Sequence, residues 1–349
     1  MKKTLCFTGI LFLLIFASGC AKDSKKAEEL MLKGREQFEA GDANAAVAAF
    51  NESLEYTDDQ KEIFRDLGIA YMELEKYPEA IDNFVKALHS NNGFVEKTDY
   101  DINYYLAKAY FLNQSYEDAI SVYDALLTVK PKLTDIYYDR ATAYLKVGNP
   151  EKALEDFDSY TSKSSSGTDD VIKIYFAMKD CGYDKEAKEY LTQALENAPG
   201  STSDYDNGRM CYYLEDYSNA RVYLEKAKDM SNPDTILMLG RTYEAIKDFN
   251  YAANLYNTYL SARGNNAGVY NQLGKCRIAM QDYSAALLAF ESGLNLDDET
   301  FNRTLLYNEA LTYEYMLDFK NAREKMSEYV ALYPRDTQAQ REMEFLKTR

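Results

Sequence analysis

The sequence of residues 68–84 is GIAYMELEKYPEAIDNF, and its spacing of small and large side chains decides the fold. Gly68 is followed by Tyr71 three residues later. Ala80 and Phe84 stand twelve and sixteen residues after the glycine. Residues three or four apart share one face of a helix, so the segment predicts two helices that face each other. The small residues let the two helices approach closely, and the large ones fill the space around that contact.

The same pattern recurs with a period close to 34 residues. The first position is small in eight of nine units and is Tyr175 in the fifth: Gly34, Gly68, Ala107, Ala141, Tyr175, Gly208, Gly240, Gly274 and Ala310. The position twelve residues later is always alanine: Ala46, Ala80, Ala119, Ala153, Ala187, Ala220, Ala252, Ala286 and Ala322. The position sixteen residues later is always large and apolar or aromatic: Phe50, Phe84, Tyr123, Phe157, Leu191, Leu224, Tyr256, Phe290 and Met326. We call the first position of each unit its anchor. The repetition predicts nine helical hairpins that bury their apolar faces against one another.

This pattern resembles the tetratricopeptide repeat family over residues 27–336. The resemblance implies an all-α fold, a right-handed α-solenoid superhelix of about nine hairpins whose first helices line the concave wall. The chain contains no Trp, so other residues stand where the family has a Trp in the first helix. The bulky Tyr175 predicts a splayed fifth hairpin. Residues 337–349 are predicted to form a capping helix that closes the apolar end of the stack.

The N-terminus has the features of a targeting signal. Residues 1–19 combine a short basic start, an apolar run and small residues, which is typical of a signal peptide. Ala17-Ser18-Gly19-Cys20 resembles the bacterial lipobox, although Ala17 stands where Leu is usual. The resemblance implies that Cys20 carries a lipid and that residues 20–26 form a short tether. The alternative is ordinary signal cleavage with a free thiol at Cys20.

Composition excludes several classes of function. Lys and Arg total 40 against 57 Asp and Glu, which gives a net charge of −17 and disfavours binding to nucleic acid. One His, and no phosphate-binding glycine loop, HExxH or GxSxG motif, leave no site for a catalytic group or a metal. We therefore expect no enzyme, no cofactor and no metal, and membrane contact through the N-terminal lipid only.

The concave wall is the predicted binding surface. Side chains one residue after and three residues before each anchor point away from the second helix of the hairpin. Together with close neighbours, these positions give a set of candidate partner-binding residues: Tyr104, Lys108, Tyr138, Tyr205, Arg209, Tyr212, Arg241 and Lys275.

Two hypotheses compete for these residues. In the first, the cations bind carboxylates of a partner and the tyrosines supply rigid apolar contacts. In the second, the cations pair with acids of their own wall, such as Asp206, Asp234 and Glu244, and the tyrosines are packing residues.

The sequence as a whole favours a lipid-anchored scaffold outside the cytoplasm that binds a protein or peptide in its groove. The membrane is the cell membrane, or the outer membrane in a Gram-negative envelope. The alternative function is binding of glycan or cell-wall fragments, with tyrosines stacking on sugars. Ser- and Gly-rich residues 161–168 are expected to form a flexible joint that proteases cut first.

Overall fold

A computed structural model describes residues 23–90, 96–163, 167–197 and 202–349. Within these ranges the chain forms 19 α-helices and no strand. The predicted all-α fold of stacked helical hairpins is confirmed. Cys20 and the proposed signal segment lie outside the described residues, as do residues 164–166 of the predicted joint.

The chain divides into two compact units, with the boundary in the sequence between Gly167 and Thr168. The helices of the first unit are α1 Ser24–Glu39, α2 Ala43–Ser53, α3 Lys61–Glu73, α4 Tyr77–His89, α5 Lys97–Leu112, α6 Tyr116–Val129, α7 Thr134–Lys146 and α8 Pro150–Thr161. The helices of the second unit are α9 Thr168–Asp180, α10 Asp184–Glu196, α11 Asp204–Tyr213, α12 Tyr217–Lys226, α13 Pro233–Ala245, α14 Phe249–Arg263, α15 Ala267–Ala279, α16 Tyr283–Leu294, α17 Glu299–Tyr315, α18 Phe319–Leu332 and α19 Thr337–Leu346.

Each hairpin closes on the contact that the spacing predicts. All nine alanines of the repeat frame are completely buried on the second helices. A Cβ built on Gly68 would lie 2.5 Å from the Phe84 ring, and one built on Gly240 would lie 2.2 Å from the ring and hydroxyl of Tyr256. As these two hairpins are packed, no Cβ fits at the anchor, whereas the hairpins of Ala107 and Ala141 accommodate one opposite Tyr123 and Phe157.

The turn inside each hairpin has a common geometry. The residue seven positions after the anchor has a positive φ in all nine hairpins described: Gly41, Glu75, Gln114, Gly148, Gly182, Glu215, Lys247, Gln281 and Leu317. Six of these are not glycine, so six turns hold an L-residue in the left-handed region. The backbone N–H groups of the following helices are capped by Asp side chains in several hairpins, as at Asp216 and Asp248.

Tyr175 departs from the frame in a way that its size explains. Its side chain is buried, and its hydroxyl donates to the backbone oxygen of Tyr213 on α11, 2.9 Å away. The ring also contacts Phe176 and Tyr213, at centroid distances of 5.2 and 6.2 Å. The large anchor of the fifth hairpin thus packs toward the next hairpin.

Helix α19 covers the end of the second unit. Ala339 and Leu346 are completely buried against α18 and its neighbours, while Lys347 and Arg349 are exposed. The predicted capping helix is confirmed, and it ends at Leu346.

Candidate functional site

First helices of neighbouring hairpins contact one another directly within each unit. In the first unit α1 contacts α3 and α3 contacts α5, and in the second unit α11, α13, α15 and α17 contact in series. This arrangement forms a wall of first helices in each unit, which carries the candidate residues. We call these surfaces the first-unit wall and the second-unit wall.

In the first-unit wall, polar side chains bond from one first helix to the next. Arg35 on α1 donates to Asp66 on α3 at 2.7 Å, and Arg65 on α3 donates to Asp101 on α5. The hydroxyl of Tyr104 on α5 donates to Asp139 on α7 at 3.0 Å. These bonds join successive hairpins and use the polar atoms that a ligand would otherwise contact.

Three candidates of the first-unit wall serve these internal contacts. The Lys108 ammonium lies 4.6 Å from the centroid of the Tyr104 ring, a cation–π arrangement. Burial raises the pKa of the Tyr104 hydroxyl. The Tyr138 ring packs on Phe157 and Tyr160, at centroid distances of 5.7 and 5.4 Å. The second hypothesis, in which tyrosines pack, describes these positions.

Arg209 in the second-unit wall is bonded to acids of its own wall. Its guanidinium lies 2.7 Å from a carboxylate oxygen of Asp169 and 3.4 Å from one of Asp206, and its side chain is only 17% exposed. It also stacks over Tyr205 with its central carbon 5.4 Å from the ring centroid. Asp206 is one of the wall acids that the second hypothesis names, so the contacts of Arg209 agree with that hypothesis.

Arg241 on α13 and Lys275 on α15 differ from Arg209. Among the residues that the structure describes, neither has a carboxylate within ion-pair distance, including Asp234 and Glu244. Arg241 is half-buried and Lys275 is exposed. Both nevertheless act on Glu244, since their charges oppose the burial that raises the pKa of this carboxyl group. The two cations of adjacent first helices thus remain open to an external anion.

Glu244 itself is bonded within its own hairpin. It accepts a hydrogen bond of 2.6 Å from the hydroxyl of buried Tyr256. This carboxyl group therefore interacts with Arg241 and Lys275 at longer range than an ion pair.

Aromatic side chains lie on the first helices α9 and α11 of the second unit. Phe176 on α9 is 40% exposed, and its ring meets that of Tyr213 edge to face at 5.0 Å. Tyr212 packs against Tyr213 at 5.5 Å, and the charge of Arg241 opposes the rise that burial gives to the pKa of Tyr212. The second-unit wall therefore combines a half-exposed aromatic group with two open cations.

Sequence reasoning missed the bonds between first helices and the cluster around Phe176. Arg35 to Asp66, Arg65 to Asp101 and Tyr104 to Asp139 are separated by 31, 36 and 35 residues, close to one repeat length. Opposite charges one period apart, on the face away from the partner helix, were the available signal.

Two further properties bear on function. No helix of the described ranges is both long enough and apolar enough to cross a bilayer. In the same ranges, no three His, Cys, Asp or Glu side chains are grouped as a metal site would require.

The fold and the walls define a helical-hairpin repeat protein. Two family models described as tetratricopeptide repeat match it, one at residues 31–90 and 65–133 and the other at residues 106–173. Residues 31–173 thus match tetratricopeptide repeat models, and the later hairpins continue the same spacing, as the sequence predicted. Proteins of this family are in general scaffolds that bind other proteins rather than enzymes.

Individual relatives are distant. The chain is 22% identical over 314 residues to the BBSome complex member BBS4 of Bos taurus, a match that covers 86% of this chain and 58% of that protein. It thus spans little more than half the length of this relative. Yeast Tom70 is similar with a TM-score of 0.51 and 16% identity, over 93% of this chain and 88% of that one. A tetratricopeptide repeat protein from Parabacteroides merdae is similar with a TM-score of 0.43 and 17% identity, over 82% of this chain and 99% of that one. At 16% identity, the Tom70 structure shows the fold alone.

Proposed function

We propose that this protein is a lipid-anchored scaffold outside the cytoplasm, and that its second-unit wall binds an acidic segment of a partner protein. The observation that carries the proposal is the pair Arg241 and Lys275. These cations lie on adjacent first helices, without an ion pair among the described residues, in a chain of net charge −17. Elsewhere in the two walls, Arg35, Arg65 and Arg209 are bonded to acids.

The chemistry of the surface favours a peptide with carboxylates and at least one apolar side chain. A guanidinium forms bidentate bonds to a carboxylate, and an ammonium adds a point charge beside it. Phe176 and Tyr212 offer rigid apolar area of the kind that dominates binding energy at protein interfaces. An extended or helical segment in the groove would meet both.

The anchor is a separate part of the proposal and rests on the sequence of residues 17–20. A lipid on Cys20 would hold the first hairpin near the bilayer, and the tether is shorter than the predicted residues 20–26 because α1 begins at Ser24. Two acyl chains suffice for stable attachment where a single chain gives only reversible binding.

Binding is tested by cross-linking and pull-down from intact membranes. We expect a reproducible protein partner that is lost from the variant Arg241→Glu/Lys275→Glu. The matched control is Arg221→Glu/Lys320→Glu, which makes the same charge change at exposed positions of the second helices α12 and α18. A partner retained by the first variant, or lost equally from both, would contradict the proposal. So would binding of purified cell-wall glycan fragments with no protein partner.

Anchoring is tested by membrane fractionation and by mass spectrometry of the N-terminal peptide. We expect a diacylglyceryl mass on Cys20 and release of the Cys20→Ser variant from the membrane. An unmodified Cys20 in a membrane-free protein would refute the anchor and leave the binding proposal intact.

A further inference from the structure

A pocket of about 390 Å³ lies where the N-terminal half of α5 meets the connection between α6 and α7. Its walls include Tyr100 and Tyr104 of α5 and Leu126 near the end of α6. Leu133 and Ile136, at the start of α7, complete the apolar part of the lining. The volume falls in the range of pockets that hold small organic ligands.

Three lysines surround this apolar lining, at Lys97, Lys130 and Lys132. Among the described residues, none of them has a carboxylate within ion-pair distance. The Lys130 ammonium lies 3.6 Å from the centroid of the Tyr100 ring, so a cation–π contact holds it at the pocket wall. Three open lysines around one pocket are unexpected in a chain of net charge −17.

Two acids also line the pocket, and neither cancels these charges. Asp101 is bonded to Arg65 of α3, outside the pocket lining. Asp135 is exposed in the first turn of α7. Within the lining, three lysines therefore face two carboxylates. No side chain caps the N-terminus of α7, where Thr134 lines the pocket, but Asp135 in the first turn opposes the helix dipole. The lysines therefore supply the positive charge of the site.

We propose that this pocket binds a small organic carboxylate with an apolar, ring-sized body. The carboxylate would lie among the lysines, and the body would lie against Tyr100, Leu126 and Ile136. The site is distinct from the second-unit wall, because all of its residues belong to the first unit. It does not depend on the proposed peptide binding.

The test is isothermal titration calorimetry of the purified chain with 2-naphthoate and with its neutral counterpart 2-naphthamide, at low salt. A ligand of this size in a preformed pocket is expected to bind with a Kd of about 1 mM or tighter. We expect the carboxylate to bind at least about tenfold more tightly than the amide, and this preference to shrink at 0.5 M salt. Equal affinities, or no binding of 2-naphthoate at 10 mM, would overturn the proposal.

A pair of variants locates the binding. Lys130→Gln/Lys132→Gln should weaken 2-naphthoate at least about tenfold and leave 2-naphthamide unchanged. The control Lys185→Gln/Lys320→Gln removes two exposed lysines of the second unit and should change neither Kd. Equal losses in both variants would show a general charge effect and overturn the site. Should the pocket variant lose its helical circular dichroism, the comparison of the two ligands on the unaltered chain still decides the proposal.

Discussion

Replacing Gly240 with alanine tests the packing rule of this hairpin, which is that Tyr256 leaves no room for a Cβ at the anchor. The sign of the change in stability is the readout. Helix propensity alone predicts that Gly240→Ala stabilises α13 by about 1 kcal/mol. The new Cβ, however, would lie 2.2 Å from Tyr256, which is completely buried and donates to Glu244 at 2.6 Å. Overpacking costs about 1–3 kcal/mol, and loss of a hydrogen bond to a buried carboxylate costs about 1–3 kcal/mol more. The expected net change is a loss of about 1–5 kcal/mol.

The assay is hydrogen exchange of the amides in α13 and α14, followed by mass spectrometry, since stability in a repeat array is local. The expected loss corresponds to exchange that is roughly 5- to 4000-fold faster. The second-site change Tyr256→Met copies the pair Ala310 and Met326 of the ninth hairpin, where an alanine anchor is accommodated. In that background Gly240→Ala should be neutral or stabilising. Slower exchange for Gly240→Ala alone would refute the packing rule.

Three further predictions concern the turns, the ion pairs and the cap. Leu317 is 73% exposed with φ 60°, so Leu317→Gly should raise the unfolding free energy in urea denaturation by about 0.5–1 kcal/mol, and a loss would contradict the strain argument. Arg140→Met leaves the buried carboxylate of Asp156 without its 2.6 Å partner and should lower the unfolding free energy by about 3 kcal/mol, whereas a change below about 1 kcal/mol would show that the pair is unimportant. Burial and a hydrogen bond with Glu342 raise the pKa of Glu314 from 4.5 to about 7. The folded protein therefore binds this proton more tightly than the unfolded chain does, and its contribution to stability is lost as the pH rises from about 4.5 through about 7. Melting temperatures of Glu314→Gln should fall less over that window than those of the unaltered chain, and parallel curves would contradict the assignment.

The fold was predictable because the residues that form each packing contact recur at the same positions in all nine units. A single alanine or glycine says little, but nine alanines in phase fix which faces of the second helices are buried. The capping helix followed from the need to cover an apolar end. The left-handed turns did not follow, since residues such as Glu75 and Leu317 carry no sign of a positive φ.

The candidate site was predicted less completely, for a geometric reason. The spacing places Arg209, Arg241 and Lys275 at one equivalent position of successive hairpins. Which of them meets an acid depends on the side chains that the neighbouring first helix presents, and the period does not encode these. Arg209 is bonded because Asp169 projects from α9 toward it, whereas the other two have no such neighbour among the described residues.

The most direct test of the central claim, that the second-unit wall holds a partner protein, is site-specific photo-cross-linking in intact membranes. A photoreactive phenylalanine analogue at Phe176 replaces an aromatic ring of that wall with one of similar shape. The same analogue at Phe345, on the capping helix and 42% exposed against 40% for Phe176, is the control. We predict a discrete protein adduct from position 176 and none from position 345. An adduct at 345 with none at 176 would contradict the account.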